Sequence, residues 1–549
     1  MPNTAGLQRE VIEELMPWAL CDAQPICLLC DISSAGNPIP SFCLFEGCVL
    51  VVSVIEQLAQ WHNSTVKAAM ERLCSYIPEK LQGFCYILAE LYGPHIAELI
   101  DREMNADVVC HSLKLCKQDP GQPLCHLYSP PKVSWFPPFF QSYRLSAAVT
   151  MAILSVCFPG FQTLRGYHWR GRDCDDRNNT VYPGRRPDNW DEERDSNCNG
   201  IWGVDPKDGI PYEKKFCADS QGVVLLGDSA GAHFHIPPEW MTVSQMSAKS
   251  FANLPMAFTN ELDWPQFSEI TGFLNSTIGG WTDSLYLRLR SRNRCNHRDL
   301  QNISKNGGSS GNLPRLLKSL ARNQLLDNPA IVIYATIGND VCNGNNDTLA
   351  YMTTPKEMLS NVMQALRYLD TRLPNGSHVI LTGLVDGRFL WDNLHDRYHP
   401  LGQLNRDITY SQLYSFLDCL QVSPCMGWMT PNETLRNLTS ERALQLSNVL
   451  KEIARSEKFA NFDIFYMDFP LRQSKMGGEP WQLIEPVDGF HPSQVNPTPG
   501  DGWEEAGMGS APQGPGLGHC PPVLCSEELP CSPDPALGQQ HKRDVELLE

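Results

Sequence analysis

Three things are scarce in this 549-residue chain. Long apolar runs are missing: the longest, Ala147 to Phe158, falls well short of the about 20 residues that cross a bilayer, so no spanning helix is predicted. Positive charge is in deficit, with Lys+Arg 44 against Asp+Glu 62 and a net charge of −18. That balance excludes the basic footprint of a nucleic-acid binder. Residues 1–30 have no apolar core of a secretory leader, because Glu10, Glu13, Glu14, Asp22 and Pro25 interrupt them.

Cysteine is abundant. Twenty-one cysteines in loop-like settings point to disulfides formed in an oxidising compartment. Eight N-x-S/T sequons, at Asn63, Asn178, Asn275, Asn302, Asn346, Asn375, Asn432 and Asn437, agree with a secretory route to a secreted or lysosomal destination.

Composition divides the chain. Residues 1–42 give no fold and form an unassigned extension. Over 43–126 apolar residues recur at helical spacing, predicting a compact all-helical module stapled by its cysteines. Residues 127–161 are rich in proline and aromatics and read as a linker. Residues 162–219 are acidic and asparagine-rich, residues 220–496 alternate apolar strands with amphipathic helices, and residues 497–549, rich in Gly, Pro and Glu, read as a disordered tail.

In the acidic segment Asp195, Asn197 and Asn199 alternate ahead of Gly200, as in the first half of an EF-hand loop. Position 12 is Pro206 rather than Glu, with Asp205 and Asp208 close enough to compensate. Asp173, Asp175, Asp176 and Asn178 form a second oxygen cluster. Hard oxygen donors at this density predict structural calcium, with Cys174 and Cys198 as a local bridge; the alternative is a solvated acidic loop.

Strands alternating with helices over 220–496 predict an α/β fold with a parallel sheet covered by helices. In such sheets the site lies at the carboxyl ends of the strands. Three such ends carry chemistry. Val223 to Leu226 run into Gly227-Asp228-Ser229, Ala330 to Ile337 into Gly338-Asn339-Asp340, and the last strand is followed by Asp488-Gly489-Phe490-His491. A nucleophilic serine needs a base, a group that orients the base and donors for the oxyanion, and these residue types supply all three. Taken singly, Asn339 is equally a helix cap and His491 a surface loop histidine. His233 and His235 follow the serine and read as pocket lining; a zinc site built on them lacks further ligands.

The four strand-end residues resemble the SGNH, or GDSL, hydrolase family. The resemblance implies Ser229, Asp488 and His491 as catalytic residues, with Ser229, Gly307 and Asn339 forming the oxyanion hole and Gly308 as the other choice of glycine. The cysteine spacing of 43–126 resembles the saposin B family of lipid-binding helical modules, which implies pairs Cys48–Cys110 and Cys74–Cys85, with Cys116 left for a disturbed first position near Cys43. The combination, carried by LRGYHWRGRDC (164–174), GDSAGAHFHIPPEW (227–240) and WQLIEPVDGFHP (481–492), resembles a family of hydrolases acting on lipid A. That implies release of secondary, acyloxyacyl-linked fatty chains from bacterial lipopolysaccharide, with action on other acyl lipids at a membrane or micelle surface. It also implies cleavage into small and large subunits joined by a disulfide, from Cys125 to Cys419 or Cys425. Residues 1–42, 129–161 and 496–549 depart from that family's pattern. The competing functions are a broad phospholipase or carboxylesterase, and a non-catalytic lipid-binding protein.

Overall fold

The computed structural model describes residues 42–113, 125–129, 166, 168–275, 282–345, 347–469 and 479–493. Cys116, Asn346 and nearly all of the expected linker, together with residues 1–41 and the tail, lie outside them.

The first unit is helical: α1 (Phe42–Trp61), α2 (Val66–Tyr76), α3 (Glu79–Asp101) and α4 (Ala106–Ser112). Thr65 and Asn105 cap α2 and α4 by accepting the N–H of Ala68 and Val108, which satisfies donors a helix start leaves free. Cys48–Cys110 ties α1 to α4, and Cys74–Cys85 closes the α2–α3 hairpin. The unit extends past the expected boundary at 126. Leu127 is buried and its N–H, with that of Tyr128, donates to the Asp107 carboxylate, while Tyr128 Oη donates to Ser53 Oγ at 2.7 Å.

The second unit is built on a five-stranded sheet: β1 (Gly222–Gly227), β2 (Leu300–Asn302), β3 (Ala330–Ala335), β4 (Ser377–Thr382) and β5 (Phe462–Met467), in the order β2-β1-β3-β4-β5 with every pairing parallel. Alternation along the strands assigns the faces. Val224, Leu226, Val332, Tyr334, Val379 and Leu381 share one core with helices α7 (Pro355–Asp370), α8 (Tyr410–Cys419) and α9 (Glu433–Ser456). Val223, Leu225, Ile333 and Ile380 pack opposite, with Ile270 and Tyr286. The amphipathic segment 313–326 forms only a short helix, Leu313–Leu316, followed by a tighter turn through Ser319. Arg322 leaves that helical path to form a buried ion pair with Asp299.

The acidic segment is attached at the amino ends of the strands. Arg186 N–H donates to Leu326 O just before β3, Tyr182 Oη to Asp327, and Cys217 of the loop after helix α5 (Tyr212–Phe216) bonds to Cys295 before β2. Cys174–Cys198 is present as expected. Of the two partners proposed for Cys125, Cys419 is the one bonded; Cys425 pairs with Cys342 instead. Helix α1 lies against the turn Pro400–Gly402, where Gln57 Nε2 donates to Leu401 O at 2.7 Å.

One expected glycosylation site is corrected. Asn302 sits in β2 at 2 % exposure, its amide donating to Gly231 O and Thr271 Oγ1, so a glycan cannot be carried there in the folded chain. Asn63, Asn275, Asn375, Asn432 and Asn437 are exposed and Asn178 is half-buried.

Candidate active site

The order β2-β1-β3 makes the carboxyl ends of β1 and β3 neighbours, where connections leave in opposite directions and a crevice opens. Strand β1 is wholly buried and delivers Asp228 and Ser229 to that edge. Asp228 caps the short helix α6 (Ser229–Ala232), its Oδ1 accepting the Ala230 N–H at 3.0 Å. Its Oδ2 accepts the N–H groups of Ile337 (2.8 Å) and Gly338 (3.2 Å), which fastens the serine turn to the loop bearing Asn339. Burial pushes the Asp228 carboxyl up to about 6, against those hydrogen bonds. A side chain at Gly227 or Gly231 would run into Ser304 Oγ, at 2.6 Å from the added carbon in each case. The two glycines are what allow α6 to close onto β2.

Ser229 is 5 % exposed, and its Oγ lies 2.7 Å from His491 Nε2. The other ring nitrogen, Nδ1, lies 2.6 Å from Asp488 Oδ2. Asp488 Oδ1 accepts the N–H groups of Phe490 (2.8 Å) and His491 (3.1 Å). Burial disfavours the Asp488 carboxylate, but the His491 charge and these hydrogen bonds outweigh it and hold the carboxyl below its ordinary value. Asp488 is therefore ionised and points its second oxygen at the imidazole.

The loop carrying these two residues is held by side chains that no sequence pattern singles out. His399 Nε2 meets Val487 O at 2.8 Å, Tyr410 Oη donates to Pro486 O at 2.5 Å, and Tyr414 Oη to Gly489 O at 2.6 Å. Gly489 has φ +61°, and a side chain there would strike Tyr410 at 2.8 Å.

Ser229, His491, Asn339 and Gly338 line one cleft, whose other walls are apolar: Val385, Leu390, Trp428, Phe469, Leu483, Ile484 and Phe490 among them. Trp428 lies across Gly387, where an added carbon would be 2.1 Å from the indole. Gly307 is exposed, with φ +69°, in the turn after β2 and outside this lining. Gly308, buried beside it, donates its N–H to Lys305 O at 2.9 Å and is likewise outside the lining. His233 is buried against His235 and Phe267, and desolvation with the nearby His235 and His491 pushes it down to about 3; it is neutral, and neither it nor His235 is among the residues lining the cleft, contrary to the expectation from sequence.

The oxygen-rich residues separate into three groups. Asp195, Asn197 and Asn199 come together as expected and gather two acids not foreseen. Glu213 of α5 accepts from Asn197 (2.8 Å) and Asn199 (3.0 Å), and Asp191 accepts from Ser196. Asp191 is 1 % and Glu213 2 % exposed. Asp205 and Asp208 do not compensate for the missing twelfth ligand, because both are paired with Lys215 Nζ at 2.6 Å. Asp173, Asp175 and Asn178 accept backbone N–H groups two residues ahead and so cap local turns, and Asp176 is exposed beside them.

Two family models match the chain: a saposin-like domain over residues 43–150 and a GDSL-like lipase/acylhydrolase over 223–496. Acyloxyacyl hydrolases of Homo sapiens and Oryctolagus cuniculus are each 59% identical to it, and that of Mus musculus 57%, every alignment covering 87% of this chain and 92% of the relative. The chain belongs to the acyloxyacyl hydrolase family. It is a carboxylic ester hydrolase of the GDSL type that removes acyl chains, preceded by a saposin-like helical domain suited to lipid surfaces. Membership of this family and six disulfides among the described residues fit a secreted or lysosomal setting. No helix among the described residues is long and apolar enough to cross a membrane.

Proposed function

We propose that the chain hydrolyses secondary, acyloxyacyl-linked fatty chains of the lipid A in bacterial lipopolysaccharide, with Ser229 as nucleophile. The observation that carries this reading is the unbroken relay Ser229 Oγ, His491, Asp488 opening on an apolar cleft. His491 Nε2 takes the serine proton as Oγ attacks the ester carbonyl, and Asp488 fixes the tautomer and stabilises the imidazolium. The N–H groups of Ser229 and Gly307 and the Asn339 amide serve as oxyanion donors, each removal costing about 3–4 kcal/mol of transition-state stabilisation. His491 then protonates the leaving hydroxy-acyl oxygen, and water repeats the sequence on the acyl-serine. Trp428, Leu390 and Val385 accept the released chain, since a cleft with apolar walls favours an alkyl group over water.

The helical unit presents lipid to the cleft from a membrane or micelle surface. Phe84, Ile87 and Leu91 recur on one face of α3 and are about half exposed, as a lipid-contacting face requires. A cut between the two units leaves small and large subunits joined by Cys125–Cys419.

Calcium is proposed as a structural ion held by Asp191, Asp195, Asn197, Asn199 and Glu213. The donor set is all oxygen, and burial pushes Glu213 up to about 7 and raises Asp191 and Asp195, so that a hard divalent cation bound among them would favour their ionised forms. The ion would neutralise those carboxylates. The cluster packs at the amino ends of the strands, opposite Ser229, so its contribution is to stability.

The test is Ser229→Ala on labelled lipopolysaccharide, labelled phospholipid and a short soluble ester. Loss of all three activities with an unchanged melting temperature is expected. Undiminished release removes Ser229 as nucleophile, and wild-type activity confined to phospholipid replaces lipid A with a broader phospholipase.

A further inference from the structure

Behind the relay lies a second buried acid–imidazole pair that the reaction described above does not use. His235 Nδ1 lies 2.7 Å from Glu485 Oε2, the two side chains 9 % and 2 % exposed. Each partner is built into one half of the active site. His235 follows Ser229 by six residues and is fixed by its own backbone, its N–H donating to Leu262 O (3.0 Å) and its carbonyl accepting Trp264 Nε1 (2.9 Å). Glu485 closes the catalytic loop, its N–H donating to His491 O (2.8 Å) and its carbonyl accepting the Gly489 N–H (2.9 Å). Phe234, next to His235 in sequence, lies tilted against the His491 ring with centroids 4.6 Å apart.

We propose that His235 and Glu485 are positioning residues, a link that holds the loop bearing Asp488 and His491 in register with the β1 turn bearing Ser229. The inference rests on the assignment of those three residues as the relay. It follows from an imbalance in how the two halves are held. The serine turn is anchored by β1, whereas the His491 loop belongs to no strand or α-helix, so its distance from Ser229 depends on the contacts that clamp it. His399, Tyr410 and Tyr414 clamp the loop to the α8 side. The His235–Glu485 link is the clamp that reaches the serine segment itself. Burying an acid and a base here is worthwhile only as a pair, because either alone leaves an uncompensated polar group. Burial disfavours protonated His235, but the Glu485 carboxylate outweighs it and raises the imidazole, with Glu239 and Asp488 acting in the same direction. His233, held neutral by burial, and His491 are the other titratable groups that face the pair.

The experiment uses the full chain and the variants Glu485→Ala, Glu485→Gln, His235→Ala, His235→Asn and the double alanine variant. A serine-reactive fluorophosphonate counts competent sites, and kcat per labelled site and KM are read on a short soluble ester. A relay misplaced by about 1 Å loses on the order of 10²-fold, so each alanine variant is expected to lose that much kcat with KM unchanged. Glu485→Gln and His235→Asn, whose amides reproduce the lost hydrogen-bonding atom, are expected to recover most of it. One link broken twice costs no more than once, so the double variant should match the single ones. If one alanine variant gives no labelled sites, the other and its amide rescue decide. Normal kcat per site in an alanine variant, amide variants no better than alanine, or multiplying losses in the double variant each overturn the proposal. Activity retained by Ser229→Ala would instead overturn the relay, so the two failures are separable.

Discussion

Replacing Asp488 by Asn should disable the relay without disturbing its shape, and the hydrogen bonds around it say why. Oδ1 accepts two backbone N–H groups, from Phe490 and His491. In Asp488→Asn the amide oxygen must stay with those donors, because turning the NH₂ toward them sets donor against donor and strands two buried N–H groups at about 1–3 kcal/mol each. The NH₂ therefore takes the place of Oδ2 and faces His491 Nδ1 across 2.6 Å. Nδ1 must then accept, the ring proton moves to Nε2, and Nε2 can no longer take the proton of Ser229 Oγ. The expected loss is on the order of 10⁴ in kcat, or about 5 kcal/mol of barrier, with KM for a short ester nearly unchanged. Steady-state kinetics on a soluble ester, normalised to serine sites labelled by a phosphonate, reads this directly. A loss under about a hundredfold would refute the tautomer argument, since removing a general base costs about 10²–10⁴-fold.

Breaking the bridge between the units with Cys125→Ser and Cys419→Ser should cost about 2–4 kcal/mol, read as a lower denaturation midpoint in urea. The calcium cluster makes a prediction about pH. An acid raised in the fold binds its proton there more readily than in the unfolded chain, so folded stability declines as pH rises from about 4.5 through the Glu213 value of about 7. The full shift amounts to about 3 kcal/mol. Without calcium the melting temperature should fall across that window, and added calcium should abolish the fall; identical profiles with and without the ion would dismiss the site.

Much of the sheet and the relay were legible in the sequence because their signals are local. A β-branched run ending in Gly-Asp-Ser, or Asp and His three residues apart, is written in consecutive residues, and β1, β3, β4 and β5 fall where the apolar runs lie. Strand β2 is three residues with no apolar run, and its sequon Asn302 reads as surface until the amide is seen bonded to Gly231 and Thr271. The supports of the catalytic loop were not legible. His399, Tyr410 and Tyr414 act across separations of 75 to 88 residues, and such contacts leave no periodic trace. Asp191 and Glu213 escaped for a related reason: they join Asn197 and Asn199 by folding, outside the one-three-five spacing of a calcium loop. Asp205 and Asp208 lie next to the twelfth position of the loop in sequence, yet Lys215 takes both.

The contact between the two units changes how the helical unit's role must be tested. Gln57 of α1 donates to Leu401 O, and His399, two residues earlier in that turn, reaches Val487 O beside Asp488. Deleting the helical unit therefore exposes a support of the catalytic loop as well as removing a lipid surface, and should depress hydrolysis of soluble and aggregated substrates alike. The lipid-contacting role is isolated by a change confined to exposed apolar residues of α3. Phe84, Ile87 and Leu91 are 54%, 47% and 54% exposed, so the triple variant F84S/I87S/L91S removes apolar surface that the fold does not bury. Phe84 alone carries about 2 kcal/mol of transfer energy when fully buried in an apolar phase, so losing three half-exposed residues should weaken lipid partitioning at least tenfold. Turnover of micellar lipopolysaccharide should drop by that factor while turnover of a short soluble ester stays at the parent value. A parallel fall on both substrates would mean that these residues support the fold, and that the surface meeting the lipid lies elsewhere.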